Sequence, residues 1–161
     1  KLQAVDCQNG PEAGQHNFYR GVDLKVYRQE TVNALKALEN RLPVKKLYSI
    51  WETCISKEYN GPKVWVHGDV APGNILLQGS RFYGLIDFGI LGTGDPACDY
   101  AMAWTFFNKE ARKIFLAGLP EDMVNRARGW ALWKALITYD DVKEDFQKNA
   151  RYTVSAILQE D

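Results

Sequence analysis

Between Val64 and Asp99 the chain reads VWVHGDVAPGNILLQGSRFYGLIDFGILGTGDPACD, and this stretch alone gathers ionisable and amide side chains at spacings that a specific chemistry requires. A β-branched and aromatic run, Val64-Trp65-Val66, leads into His67, Gly68 and Asp69. A Pro72-Gly73 turn follows, then Asn74 and a second apolar run, Ile75-Leu76-Leu77. Strand, tight loop and strand is the expected succession. A turn at Gly79-Ser80 precedes a third strand, Phe82 to Ile86, which ends on Asp87, Phe88 and Gly89. The loop would then set Asp69 and Asn74 beside the strand-end Asp87. Two carboxylates and an amide oxygen are hard donors suited to Mg²⁺, which takes one or two protein carboxylates and completes its octahedron with water and phosphate. Zinc prefers His or Cys, and the two histidines, His16 and His67, are too few and too far apart to form such a motif. The donor set points to phosphoryl transfer.

Each of these residues also has a structural reading. Asp69, Pro72, Gly73 and Asn74 are ordinary turn formers, and Asp87 can simply end a strand. What lifts the set above that reading is its order and spacing taken together. Protein kinases carry H-R-D-x-x-x-x-N followed by D-F-G. Here His67-Gly68-Asp69 through Asn74, then Asp87-Phe88-Gly89, keep that order with Gly in place of Arg.

The Gly, together with Gly92-Thr93-Gly94-Asp95-Pro96-Ala97-Cys98-Asp99, resembles instead the aminoglycoside phosphotransferase family, small-molecule kinases with an HGDxxPGN loop, an IDFG-type metal aspartate and a GDPxxD segment. The resemblance extends to His16-Asn17-Phe18-Tyr19-Arg20-Gly21 and to the run from Arg128 to Leu136, RGWALWKAL. It implies an α+β, mainly helical fold: the C-terminal (large) lobe of a protein-kinase-like fold with a small catalytic β-hairpin region. ATP as co-substrate and Mg²⁺ as cofactor come with it. By the same resemblance Asp69 is the base that accepts the proton of the attacking hydroxyl or orients it, and Asn74 and Asp87 are the Mg²⁺ ligands. His67 braces the loop, and Asp99 hydrogen-bonds the loop and holds Asp69 in place. Asp95, followed by Pro96, has the form of a helix N-cap with proline at the first helical position.

The acceptor implied is a small hydroxylated molecule, with aminoglycosides the named class; choline, homoserine and ketosamines use the same loop. A rival from another class is a non-catalytic binding module that keeps the fold. A polycationic acceptor would favour an acidic rim, and Asp140, Asp141, Glu144 and Asp145 supply a local cluster. The competing reading of that cluster is a solvated helix start, where the helix dipole favours acids.

The 161 residues are one domain's worth, 46% of them hydrophobic, enough for a real core. Lys+Arg and Asp+Glu are both 20, and this zero balance argues against a nucleic-acid or anionic-membrane partner. Cys7, Cys54 and Cys98 are odd in number and widely spaced, from which a reduced, cytoplasmic location is expected. No apolar run approaches the roughly 18 residues of a membrane span. A complete kinase of this type has a smaller lobe that supplies a phosphate-binding Lys and a loop over the nucleotide. Neither is found here, so residues 1–21 read as the approach from a missing N-terminal lobe and 22–161 as the catalytic lobe. On that expectation the piece alone is inactive, and its exposed lobe interface makes it prone to pair with itself.

The elements that must carry the site are mostly helical. A helical pattern from Asp23 runs through Val32, Leu35, Leu38 and Leu42 to Pro43, and a second places Val44, Leu47, Tyr48, Trp51, Cys54 and Ile55 on one face. After the site, a buried helix is expected over Asp95 to Phe107 with Ala101, Met102, Trp104 and Phe106 apolar nearly all round. Asn108 caps a following helix that closes at Gly118 and contains Ile114. Pro120 opens a longer one through Ile137, and the last runs from about Val142 to Leu158. Gly89, Gly92 and Gly94 are read as loop.

Overall fold

The longest helix, α5, Glu121–Ile137, is the one against which the rest of the chain packs. Pro120 sets its entry, and Glu121 and Asp122 sit at its positive end. Trp130, Ala131, Leu132, Trp133, Ala135 and Leu136 are all buried, so its second half is enclosed on nearly every side rather than along one stripe. Around it in this computed structural model, which describes residues 2–160, lie α1 (Arg28–Ala37), α2 (Val44–Cys54), α6 (Glu144–Leu158) and a 3-10 segment, Pro96–Tyr100. Two shorter helices, α3 (Met102–Thr105) and α4 (Lys109–Phe115), complete the helical part. Helix dominates and the sheets are small, which makes the fold α+β and mainly helical. Among the described residues no helix is long and apolar enough to cross a membrane.

Close packing of α2 on α5 depends on Gly129. A Cβ there would lie 2.5 Å from Leu24 Cδ2 and 2.8 Å from Cys54 Cβ. Helix α2 buries Leu47, Trp51 and Cys54 as its periodicity predicts, together with Ile50, while Tyr48 is exposed.

Strand β1 (Val64–Val66) pairs antiparallel with β4 (Gly92–Gly94), Trp65 opposite Thr93. Strands β2 (Ile75–Gln78) and β3 (Arg81–Leu85) form a separate antiparallel hairpin, irregular between Leu76 and Leu77, with Gly79 in its turn at φ 63°. The expected loop at Gly92 and Gly94 is thus a strand. Its glycines are needed because the chain before α1 presses on it: a Cβ on Gly94 would collide with the Gly21 carbonyl, and one on Gly92 with Asn17. Thr93 N–H donates to the Pro11 carbonyl (2.8 Å), Ala13 N–H donates to Thr93 O (3.0 Å), and Asp95 N–H donates to Gly21 O (2.7 Å). Asn17, fully buried, accepts from Gly14 N–H and donates to the Arg20 carbonyl. Residues 2–21 are irregular, as expected of them, but the later part is stitched to the free edge of β4.

The single helix expected over Asp95 to Phe107 is broken in two. The 3-10 segment winds tightly while Asp99 reaches across to the backbone of His67 and Gly68. Helix α3 then stops at Phe106 (φ −138°) because Asn108, whose side chain accepts from Ala111 N–H, starts α4 in a new direction. Phe106 is consequently 53% exposed, not buried. In α4 the expected apolar Ile114 is exposed and Arg112 is buried instead, donating to the carbonyls of Ala103, Ala156 and Phe107 and pairing with Glu160. Val142, the expected start of the last helix, lies outside it and is exposed.

Gly129→Ala sets two effects against each other. Alanine gains about 1 kcal/mol of helix propensity, but overpacking against the Cys54 Cβ, which cannot swing aside, costs about 1–3 kcal/mol. A net loss of up to about 2 kcal/mol is expected in urea unfolding; a variant more stable than the parent would show that α2 can retreat from α5 without cost.

Candidate active site

Strand β1 ends at Val66, and the chain then turns on Gly68, whose φ of +82° lies in the left-handed region. A Cβ there would also lie 3.0 Å from the Ile90 carbonyl and 3.1 Å from Arg20 Cβ, so only glycine fits. That explains the glycine where protein kinases carry arginine. The turn is held by Asp99: His67 N–H donates to its Oδ2 (2.9 Å) and Gly68 N–H donates to its Oδ1 (2.8 Å). Burial pushes the Asp99 carboxyl up from the usual carboxylate range, and these two N–H donors oppose that shift.

His67 is completely buried. Its Nδ1 accepts from Asp69 N–H at 3.3 Å, which assigns the proton to Nε2, and that N–H donates to the Ile86 carbonyl at 2.9 Å. One imidazole therefore ties the loop to the end of β3, with the Phe88 ring packed edge-on at 4.8 Å.

Asp69 is exposed. Asn74 Nδ2 donates both to its carbonyl (2.9 Å) and to its Oδ2 (3.1 Å), and among the described residues no donor at Asn74 Oδ1 competes with a metal. Ile86 N–H donates to the Asn74 carbonyl at 3.0 Å, so the next residue, Asp87, emerges beside the loop. Asp87 is in the left-handed region at φ 61°, a strain of roughly 1–3 kcal/mol for a non-glycine residue. Its carboxylate accepts only a long bond from Gly89 N–H (3.4 Å). Among the described residues no three His, Cys, Asp or Glu side chains cluster as a metal cage. One carboxylate and one amide oxygen on a water-accessible edge are nevertheless the sparse protein contribution that Mg²⁺ accepts, and the donors fit that ion.

Asp95 is buried and structural. Its side chain accepts from Ala97 N–H (3.0 Å), as expected of a cap, and pairs with Arg126 Nε on α5 (2.7 Å). Arg126 also reaches Asp122 (2.8 Å) and lies over the Tyr59 ring. This fixes the segment that carries Asp99.

The acidic rim expected from Asp140, Asp141, Glu144 and Asp145 is not formed. Asp140 pairs with Arg41, Asp141 accepts from Lys143 N–H (2.9 Å) and Glu144 pairs with Lys148 (2.9 Å). Asp145 is exposed in the first turn of α6, and none of the four lines the clefts around Asp69. Local helix-start chemistry and nearby cations occupy them.

Two clefts meet at Asp69, and both are also lined by Arg20 and Lys134. One, of about 340 Å³, runs between the loop and the C-terminal helices; the other, of about 490 Å³, includes Asp87. Arg20 Cζ lies 5.0 Å from the Trp130 ring centre and 4.8 Å from that of Trp133. Lys134 sits one helical turn beyond Trp130. Neither cation was singled out by the sequence reading. The available signal was a lone lysine in the otherwise apolar run from Trp130 to Ile137.

A family model described as the phosphotransferase enzyme family matches residues 1–136. The chain belongs to that family. No curated protein and no solved structure matches the chain. The family match covers both sheets, the Asp99 turn and α5 as far as Leu136, which is to say every residue placed around Asp69 above except those of α6 and its approach. As a phosphotransferase, the protein is an enzyme of the kinase type.

Asp99→Asn replaces one accepting oxygen by an NH₂ that must face a backbone N–H of His67 or Gly68. Loss of a charge-assisted bond and the donor–donor conflict are expected to cost about 2–3 kcal/mol of stability. In the parent, the native state binds more protons than the unfolded chain between the ordinary carboxylate pKa and the raised Asp99 value. This group's contribution to stability therefore falls as pH rises through that interval and is level above it. The asparagine variant should lose that slope; urea unfolding across the acid range that gave unchanged stability and slope would show that the carboxylate does not hold the turn.

Proposed function

We propose that the protein is an ATP- and Mg²⁺-dependent O-phosphotransferase acting on a hydroxyl of a small molecule, its described residues forming the large lobe of a protein-kinase-like fold. The observation that carries this reading is the linked placement of Asp69, Asn74 and Asp87 by the Asn74–Asp69 and Ile86–Asn74 hydrogen bonds. Asn74 Oδ1 and the Asp87 carboxylate would hold Mg²⁺, which when bound neutralises phosphate charge. Asp69 orients the acceptor hydroxyl and takes its proton as the new P–O bond forms and the bond to the ADP oxygen breaks. Asn74 Nδ2 holds the Asp69 carboxylate in one orientation, and His67 keeps the two halves of the site from drifting apart. The hairpin, with Leu77, Phe82 and Tyr83 each more than 60% exposed, supports a nucleotide-holding smaller lobe as its cover. Among acceptors, the aminoglycoside class draws no support from Asp140, Asp141 and Glu144, which are engaged elsewhere, or from Asp145, which lines neither cleft.

The test is ADP release by the full-length protein with Mg·ATP and a panel of hydroxylated acceptors. Asp69→Asn is expected to lower turnover by at least about 100-fold, with ATP binding retained. Asp87→Asn should raise the Mg²⁺ concentration needed for half-maximal rate. Turnover that survives Asp69→Asn would dismiss Asp69 as the base, whereas no ADP release above that variant with any acceptor would favour a binding module over an enzyme.

A further inference from the structure

We propose that the acceptor is a hydroxylated anion whose carboxylate or phosphate is held by Arg20 and Lys134 while its hydroxyl lies at Asp69. This deepens the phosphotransferase reading above and rests on it.

The cleft between the loop and the C-terminal helices has two cations in its lining and one carboxylate, Asp69 itself. Neither Arg20 nor Lys134 makes an ion pair with a described residue. The Arg20 guanidinium is instead held over the Trp130 and Trp133 rings, which stand perpendicular to each other at 85°. Cation–π contact keeps the charge in place without neutralising it. The Arg20 Nε is buried and has no hydrogen-bond partner, a costly arrangement unless a ligand completes it. A planar guanidinium fork matches a carboxylate or phosphate better than any neutral group.

Lys134 adds a second positive charge to the same cleft. Burial lowers its pKa first, and repulsion from Arg20 lowers it further; Asp69, Asp141 and Glu30 act in the opposite sense. Each of those three carboxylates already accepts a hydrogen bond elsewhere: Asp69 from Asn74, Asp141 from Lys143 N–H, and Glu30 from Trp133 Nε1 at 2.7 Å. Two cations that repel each other and form no ion pair with a described residue make a site that an oxyanion relieves. A polycation entering the same cleft would meet like charge and find the catalytic carboxylate as its only acidic partner. The remaining wall, with Met102 and Phe146, is apolar, so the body between anion and hydroxyl is small and partly hydrocarbon.

The experiment uses full-length protein with Mg·ATP and matched acceptors: glycerate, gluconate and glycerol 3-phosphate against glycerol, gluconamide and kanamycin. Trp fluorescence titrations with the same compounds without ATP report binding near Trp130 and Trp133 independently of turnover. The proposal expects saturable binding of at least one anion and not of its neutral counterpart. It also expects a rise of about 10- to 100-fold in that anion's Kd, and in its KM where it is turned over, in Arg20→Gln and in Lys134→Gln. The KM for ATP should hold in both, and Lys134→Arg should recover most of the loss. Preference for neutral or cationic acceptors, or no saturable anion binding, overturns the proposal. So do substitutions that change kcat and the ATP KM while acceptor affinity stays fixed, because the cations then serve the transferred phosphoryl group. Anion binding with no ADP release from any acceptor, and none above the Asp69→Asn blank, would retain the anion site and count against the phosphotransfer reading alone.

Discussion

A single buried carboxylate sets the geometry of the site. Asp99 accepts the backbone N–H groups of His67 and Gly68, and through them it fixes the left-handed turn from which Asp69 projects. The arrangement costs desolvation of a charge, visible in the upward shift of its pKa. It is stable because both carboxylate oxygens find donors and because the segment carrying it is itself anchored. Asp95 caps that segment and pairs with Arg126, so the long helix α5 serves as the reference frame for the loop. Burial of the Asp95–Arg126 pair is best understood as fixing position, since such pairs add little net stability over apolar packing.

From that frame the order passes outward through His67. Its two ring nitrogens take part in different halves of the site, one with Asp69 N–H and one with the Ile86 carbonyl. The exposed groups that would touch substrate and metal, Asp69 and Asp87, contribute little to holding themselves in place. Rigid buried groups position exposed reactive ones, and the strain at Asp87 is tolerated because the residue before it is pinned to Asn74.

The Asp69 loop and the hairpin were legible in the sequence because their signals are local. Pro72-Gly73 forces a turn, Gly79-Ser80 another, and the ionisable residues keep a fixed order between them. The α2 face and the Pro120 start of α5 were legible for the same reason. What was not legible depended on partners distant in sequence. Gly92 and Gly94 have poor strand propensity and read as loop; they form β4 because Asn17 and Gly21 lie too close for any side chain. The break after α3 follows from the Asn108 cap, which was recognised, but its effect on Phe106 needed the direction of α4. The acidic cluster showed the opposite failure: its charges were visible, while Arg41, which takes Asp140, lies on a different part of the chain. Arg20 and Lys134 come together only through the packing of the irregular N-terminal segment on α5.

The hairpin turn has a consequence for how such a chain can change over generations. Gly79 and Ser80 lie at the tip of β2 and β3, exposed, and open space surrounds the position where a Gly79 side chain would begin. Asn74 and Asp87, the proposed metal ligands, sit at the opposite end of those strands and are fixed there by Ile86 and His67. Doubling the length of a flexible surface loop adds only about 0.6 kcal/mol of closure entropy. Insertions at this tip therefore offer new surface at small thermodynamic cost, and what covers the hairpin can vary without disturbing the loop that carries Asp69.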